Sequence, residues 1–141
     1  KLIHNPKVSD TIIDRVVNSK TPAAAVADAT LSIVSRLEES SKAAGKKPSL
    51  TTLAYGANIL MGEIINSAEA AGMEKLDEKT RYHAFSLAVG KYLEEAVKTG
   101  KMTEAEVLQL GKDAEATPEG QKINQYLDNP GNPAGGQNGA A

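Results

Sequence analysis

From Leu50 to Ala71 the apolar residues fall on a helical period. Leu50, Leu53, Ala57, Leu60, Met61, Ile64, Ile65 and Ala68 recur three or four residues apart. That spacing lays side chains along one stripe of an α-helix. The stripe is nearly free of charge until Glu63 and Glu69. Gly56 and Gly62 interrupt it without breaking the period. A glycine inside a helix costs about 1 kcal/mol relative to alanine, so the pair predicts that another backbone comes close. Ser49 is placed to cap this helix and Gly72 to end it. The segment is expected to be the central helix of an all-α fold, buried on a face formed by Leu53, Ala57, Leu60 and Ile64.

The same patterns place the other elements. Ser9 caps a short helix from Asp10 to about Asn18, with Ile12, Ile13, Val16 and Val17 as its apolar face and Val8 with Ile13 as a hydrophobic staple. Thr21-Pro22 opens a long helix, the threonine capping and the proline at the first helical position, where its missing N–H costs nothing. It runs to about Ala44 and stops at Gly45, with Val26, Thr30, Ile33, Val34 and Leu37 inward and Asp28, Ser32, Ser35, Arg36 and Glu39 facing water. Asp77 opens the next helix, which reaches about Thr99 before Gly100. Tyr82, Phe85, Val89, Tyr92, Leu93 and Ala96 share its face, and Gly90 suggests another close crossing. Thr103 and Glu106 form a capping box, and Met102 with Val107 a second staple, for a helix from Glu104 to about Ala114. Thr117-Pro118 starts a last short helix to about Leu127.

The expected architecture is therefore all-α, without strands: a compact bundle of three long helices (22–44, 50–71 and 78–98) with three short flanking helices. Residues 9–127 read as one helical domain. Residues 1–8 read as an extended N-terminal arm, with Leu2 and Ile3 as anchors on a neighbour. Residues 128–141, rich in proline, glycine and asparagine, read as a disordered tail or one pinned only by a partner.

Composition sharpens this picture. At 141 residues and 40% hydrophobic, with one Phe, four Tyr and no Trp, the chain favours close packing of small side chains over a bulky aromatic core. A formal charge of −2 supplies no global basic field for nucleic acid. The absence of cysteine excludes disulfides, thiolate catalysis and cysteine–zinc sites. No apolar run approaches the roughly 20 residues that span a bilayer, and nothing resembles a signal peptide. The chain opens on Lys1 and not Met. Initiator methionine is removed when the residue that follows it is small, and lysine is not, so residues upstream are a simpler expectation than a specifically processed end.

Candidate chemistry is sparse. His4 lies in the expected arm, and His83 has no second histidine at helical spacing, whereas metal sites need three or four converging ligands. The carboxylate pairs Glu38-Glu39, Glu94-Glu95 and Glu104 with Glu106 fall on helix surfaces near lysines, where solvation is the ordinary explanation. Glu63 borders the central stripe, which suits an edge position or a partner contact better than catalysis. Neither GxGxxG nor GxxxxGK[ST] occurs. Lys42, Lys46 and Lys47 make a weak basic patch at a helix end, without the arginine cluster or aromatic platform of single-strand binders. These residues predict no catalytic, metal or cofactor site, and hence a protein that is not an enzyme.

Two segments carry a family resemblance: Leu53-Ala-Tyr-Gly-Ala-Asn-Ile-Leu-Met-Gly-Glu-Ile-Ile, and, after an Ala-Ala-Gly break, Tyr82-His-Ala-Phe-Ser-Leu-Ala-Val-Gly-Lys-Tyr-Leu. They resemble the small all-helical structural proteins of tailed bacteriophages that sit near the portal or tail or are ejected with the genome. The resemblance is one of helical style over about residues 10–125, and no site residue carries over. It implies a many-copy virion component that assembles or delivers, whose partners are copies of itself or other virion proteins. Interface candidates are Leu2, Ile3, Gly56, Gly62, Glu63 and Gly90. The alternative is a small helical regulatory or nucleic-acid-associated domain using Lys42, Lys46 and Lys47, with an enzyme third. Localisation is to the virion on the first reading and otherwise cytoplasmic.

Overall fold

The structure, a computed structural model, describes residues 6–118 and Gln121. Among these residues there are five helices and no strand: α1 (Pro6–Val17), α2 (Pro22–Ala43), α3 (Leu50–Ala70), α4 (Glu78–Lys98) and α5 (Glu104–Glu115). None of them is long and apolar enough to cross a membrane. Contacts group the chain into two compact units, Lys1–Leu76 and Asp77–Ala141, whereas the pattern along the chain suggests one helical domain over 9–127.

Helix ends follow local chemistry closely. Ser49 Oγ accepts from the Thr52 amide at 3.2 Å, and Asp77 Oδ1 from the Thr80 amide at 2.7 Å. At Thr103 the box closes both ways: its Oγ1 accepts from the Glu106 amide at 3.2 Å, and its own amide donates to Glu106 Oε2 at 2.7 Å. The far ends of α2, α3 and α4 share one device. At α2 the Gly45 amide donates to the Lys42 carbonyl at 2.9 Å and the Lys46 amide to the Ser41 carbonyl at 2.8 Å. This is a Schellman motif, and it requires the left-handed conformation that Gly45 adopts at φ +72°. Gly72 and Gly100 repeat it at the ends of α3 and α4.

Three sequence expectations fail at helix starts. α1 begins at Pro6, so residues 6–8 are helical and not part of an extended arm, and Ser9 lies inside the helix and not at its cap. Thr21 occupies the N-cap of α2 but its side chain makes no capping bond; Pro22 alone serves the role expected of the pair. Pro118 and Gln121 have helical backbone, and the Gln121 amide donates to the Thr117 carbonyl at 3.0 Å. The remaining residues of the sixth helix expected to about Leu127, the tail 128–141, and Leu2 and Ile3 lie outside the described residues.

In the first unit α1, α2 and α3 pack against one another. Short α1, expected to flank the long helices, packs against both α2 and α3. Its core is Val16, Val26, Ala27, Ile33, Val34, Leu60, Met61, Ile64, Ile65 and Ala68, all buried. Thr30 is buried among them without penalty, because its Oγ1 donates to the Val26 carbonyl at 2.8 Å. Burial is uneven along the hairpin formed by α2 and α3. Every buried α3 residue lies from Leu60 onward, and Leu53 and Ala57, expected on the buried face, are only half-buried. Leu37, expected inward on α2, is exposed, and Glu38 is buried in its place, tied to Lys42 Nζ at 3.0 Å. The cause is length. At 1.5 Å per residue, α1 with its 12 residues is about half as long as α2 with 22 or α3 with 21. It joins the start of α2, so it backs that end of the hairpin and not the end around the 44–49 turn.

In the second unit the buried positions of α4 are Ala84, Ala88 and Ala96. The expected face is corrected accordingly: Tyr82, Phe85, Tyr92 and Leu93 are half-buried and Val89 is exposed. The small alanine methyls are covered completely, while larger side chains beside them reach towards solvent. Lys101 Nζ stands 5.9 Å from the centre of the Tyr92 ring, within cation–π range. No residue of α5 is buried, and Leu108 is the most exposed of its apolar side chains.

Candidate functional site

α3 presents three distinct faces. Successive residues turn by about 100° around a helix axis, so Leu60, Met61, Ile64, Ile65 and Ala68 share the inward face. Tyr55, Ile59, Gly62 and Asn66 lie on the opposite side. Tyr55 is 70% exposed and Ile59 49%, both at the thinly backed end of the hairpin, the end to which Leu37, 48% exposed, also belongs. A helix that is apolar on its outer face as well as its inner one normally has both faces covered.

The interface glycines sit in open space. A Cβ built on Gly56, Gly62 or Gly90 would meet nothing within 4 Å. The backbone crossing expected at Gly56, Gly62 and Gly90 is therefore not made among the described residues. Gly62 lies on the same outer face as Tyr55, about two turns further along the helix.

The third face of α3 borders a cleft of about 300 Å³. All three helices of the first unit build it in the same way. Ile12 and Ile13 from α1, Ile33 from α2 and Leu60 and Ile64 from α3 make an apolar floor. Ser9 and Arg15, Ser32 and Arg36, and Glu63 and Ser67 give each helix one hydroxyl and one charged group at the rim, with Thr11 beside them. Glu63, singled out from the sequence, is exposed at this rim. Among the described residues, neither Arg15 nor Arg36 is in an ion pair, with Glu63 or with any other carboxylate.

The basic patch at the end of α2 is weaker than its sequence suggests. Lys42 is engaged by Glu38 one turn earlier on its own helix, and Lys46 and Lys47 are exposed in the 44–49 turn. His83 is exposed on α4.

Sequence reasoning missed Tyr55 and Ile59, which sit four residues apart but off the core stripe, where a second apolar line on the same helix is the available signal. It also missed Arg15 and Arg36, whose signal was scarcity: the chain has three arginines, the third being Arg81, and two of them line this cleft. No protein-family model, curated protein or solved structure matches this chain.

Proposed function

We propose that this protein is a non-enzymatic structural component that works by packing its helices into a many-copy assembly. The observation that supports this most directly is the outer face of α3, where Tyr55 and Ile59 are exposed and Gly62 adds no side chain. Exposed aromatic and aliphatic side chains on one helix face are the raw material of an interface core. The face is also uncharged from Thr51 to Gly62, so identical copies can approach without like-charge repulsion. The resemblance of the 53–65 and 82–93 segments to small helical phage proteins suggests the setting, a bacteriophage virion, near the portal or tail or among components ejected with the genome. The nucleic-acid alternative has less support, since Lys42 of its three lysines is already tied to Glu38.

Sedimentation over a wide concentration range tests the assembly. The expected result is a defined species at a multiple of 14.8 kDa, reduced to the monomer by Ile59→Asp with helicity retained. A chain that stays monomeric throughout, alone and with candidate virion partners, overturns the reading. Quantitative mass spectrometry of purified particles tests the setting, which requires many copies per particle.

A further inference from the structure

Arginine is rare in this chain, yet two of the three arginines line one cleft, from two different helices. The guanidinium is a planar fork suited to gripping a carboxylate or phosphate with two parallel hydrogen bonds, which the chain's lysines cannot reproduce. Both forks stand at the rim of an apolar floor made by Ile12, Ile33, Leu60 and Ile64, and neither is engaged in an ion pair among the described residues. A cavity of about 300 Å³ lies at the lower end of the roughly 300–1,000 Å³ found for small-molecule sites. Two guanidiniums and several apolar side chains lining one cleft suit a ligand that carries both an acidic and an apolar part.

We propose that the cleft between α1, α2 and α3 binds a small amphiphilic anion, its acidic head drawn to the arginines of the lining, Arg15 and Arg36, and its apolar body on the isoleucines and leucine that line the same cleft. Serines 9, 32 and 67, one from each helix, offer further hydrogen bonds to the head or to its waters. The site is independent of the outer face of α3: it uses a different side of that helix and does not need the assembly to exist. A carboxylate and a phosphate monoester share the required chemistry, and their relative affinities identify the natural head group.

The test is calorimetric titration of the full chain with octanoate and with octyl phosphate, using octanol as the neutral chain and acetate and inorganic phosphate as bare heads. Saturable one-to-one binding of at least one of the two amphiphiles is expected, with octanol and the bare heads much weaker. Replacing both arginines (Arg15→Gln with Arg36→Gln) should weaken that binding by roughly tenfold or more, the loss of two charge-assisted contacts, with the circular dichroism spectrum unchanged. Ser67→Phe fills the cleft without altering its charge and should block the probe even where the double variant folds poorly. Octanol binding as tightly as octanoate, or full affinity in both variants, overturns the proposal. So does failure of every probe to saturate; if the double arginine variant then also lowers the assembled mass, the cleft takes an acidic side chain of a protein partner instead.

Discussion

Two isoleucines six residues apart on α3 give the sharpest test of how this fold is built. Ile65 is 1% exposed and Ile59 is 49% exposed. Truncating either to alanine removes the same three carbon atoms. At Ile65 the transfer loss is about 2.4 kcal/mol, at about 0.8 kcal/mol per buried CH2. Partial collapse of the vacated space leaves a cavity that adds up to about 1 kcal/mol, at roughly 24 cal/mol per Å³. Alanine's better helix propensity returns about 0.4 kcal/mol. Ile65→Ala should therefore cost about 3 kcal/mol. At Ile59 half the surface is already in water, so the transfer loss falls to about 1.2 kcal/mol, no enclosed cavity forms, and the same propensity gain leaves a cost near 0.8 kcal/mol. Urea unfolding followed by circular dichroism, on dilute protein in its monomeric form, measures both. Equal costs at the two positions would refute the division of α3 into covered and uncovered faces. A cost under about 0.5 kcal/mol at Ile65, the scale of ordinary surface changes, would remove that residue from the core. If Ile59 is an interface residue, its larger effect appears in the mass distribution and not in the monomer's midpoint.

Other consequences are equally open to measurement. Gly62→Ala should stabilise the monomer by about 0.5–1 kcal/mol, because the new methyl meets nothing and the helix gains propensity; a lowered melting temperature in the monomer would mean that a neighbour does lie against Gly62. Gly45→Ala should destabilise the first unit by about 1 kcal/mol, since φ +72° strains any residue with a Cβ, and a neutral result in thermal melts would rule out the Schellman geometry there. Hydrogen bonds to Thr80 hold the Asp77 carboxyl below its ordinary value, and bonds from Thr103 do the same for Glu106. Lowered carboxylate values contribute stability above the unfolded-state values, and that contribution is lost as pH falls through the folded ones. The second unit should thus lose helicity on the acid side of the ordinary carboxylate range, and Asp77→Asn with Glu106→Gln should flatten that limb of an ellipticity–pH profile; an unchanged limb would count against the caps.

Helix boundaries were legible in the sequence because they are set locally. Ser49, Asp77 and the Thr103–Glu106 box cap the helices they were expected to cap, and Gly45, Gly72 and Gly100 end them, since each device acts over four or five residues. Faces were less legible because they depend on what lies opposite. Periodicity puts Leu37 and Leu53 on apolar stripes, and nothing in their own helices reveals that α1 is too short to back them. Glu38 shows the reverse: a glutamate expected in water is buried, paired with the lysine one turn on. Glycines were the weakest guide, since an interior glycine signals either a crossing or an open surface, and the sequence alone does not separate the two.

The same limit explains why the candidate sites had to be found in three dimensions. Arg15 and Arg36 are 21 positions apart and belong to different helices, so no spacing rule joins them; only the packing of α1 on α2 does. Once joined, they divide the duties of α3 in a way that mutagenesis can separate. The inward face holds the first unit together, the Tyr55–Ile59 face is open to another copy, and the Glu63–Ser67 side closes the cleft. Glu63 stands between the last two. Removing its charge, as in Glu63→Gln, takes one negative group from the rim beside the two guanidiniums. If the cleft binds anions, octanoate affinity should rise, since a like charge near the head disfavours it. If Glu63 instead belongs to the contact between copies, as its position beside Ile59 permits, the same change alters the assembled mass and leaves octanoate binding where it was. One substitution, read by calorimetry and by sedimentation, thus decides to which of the two surfaces this carboxylate contributes.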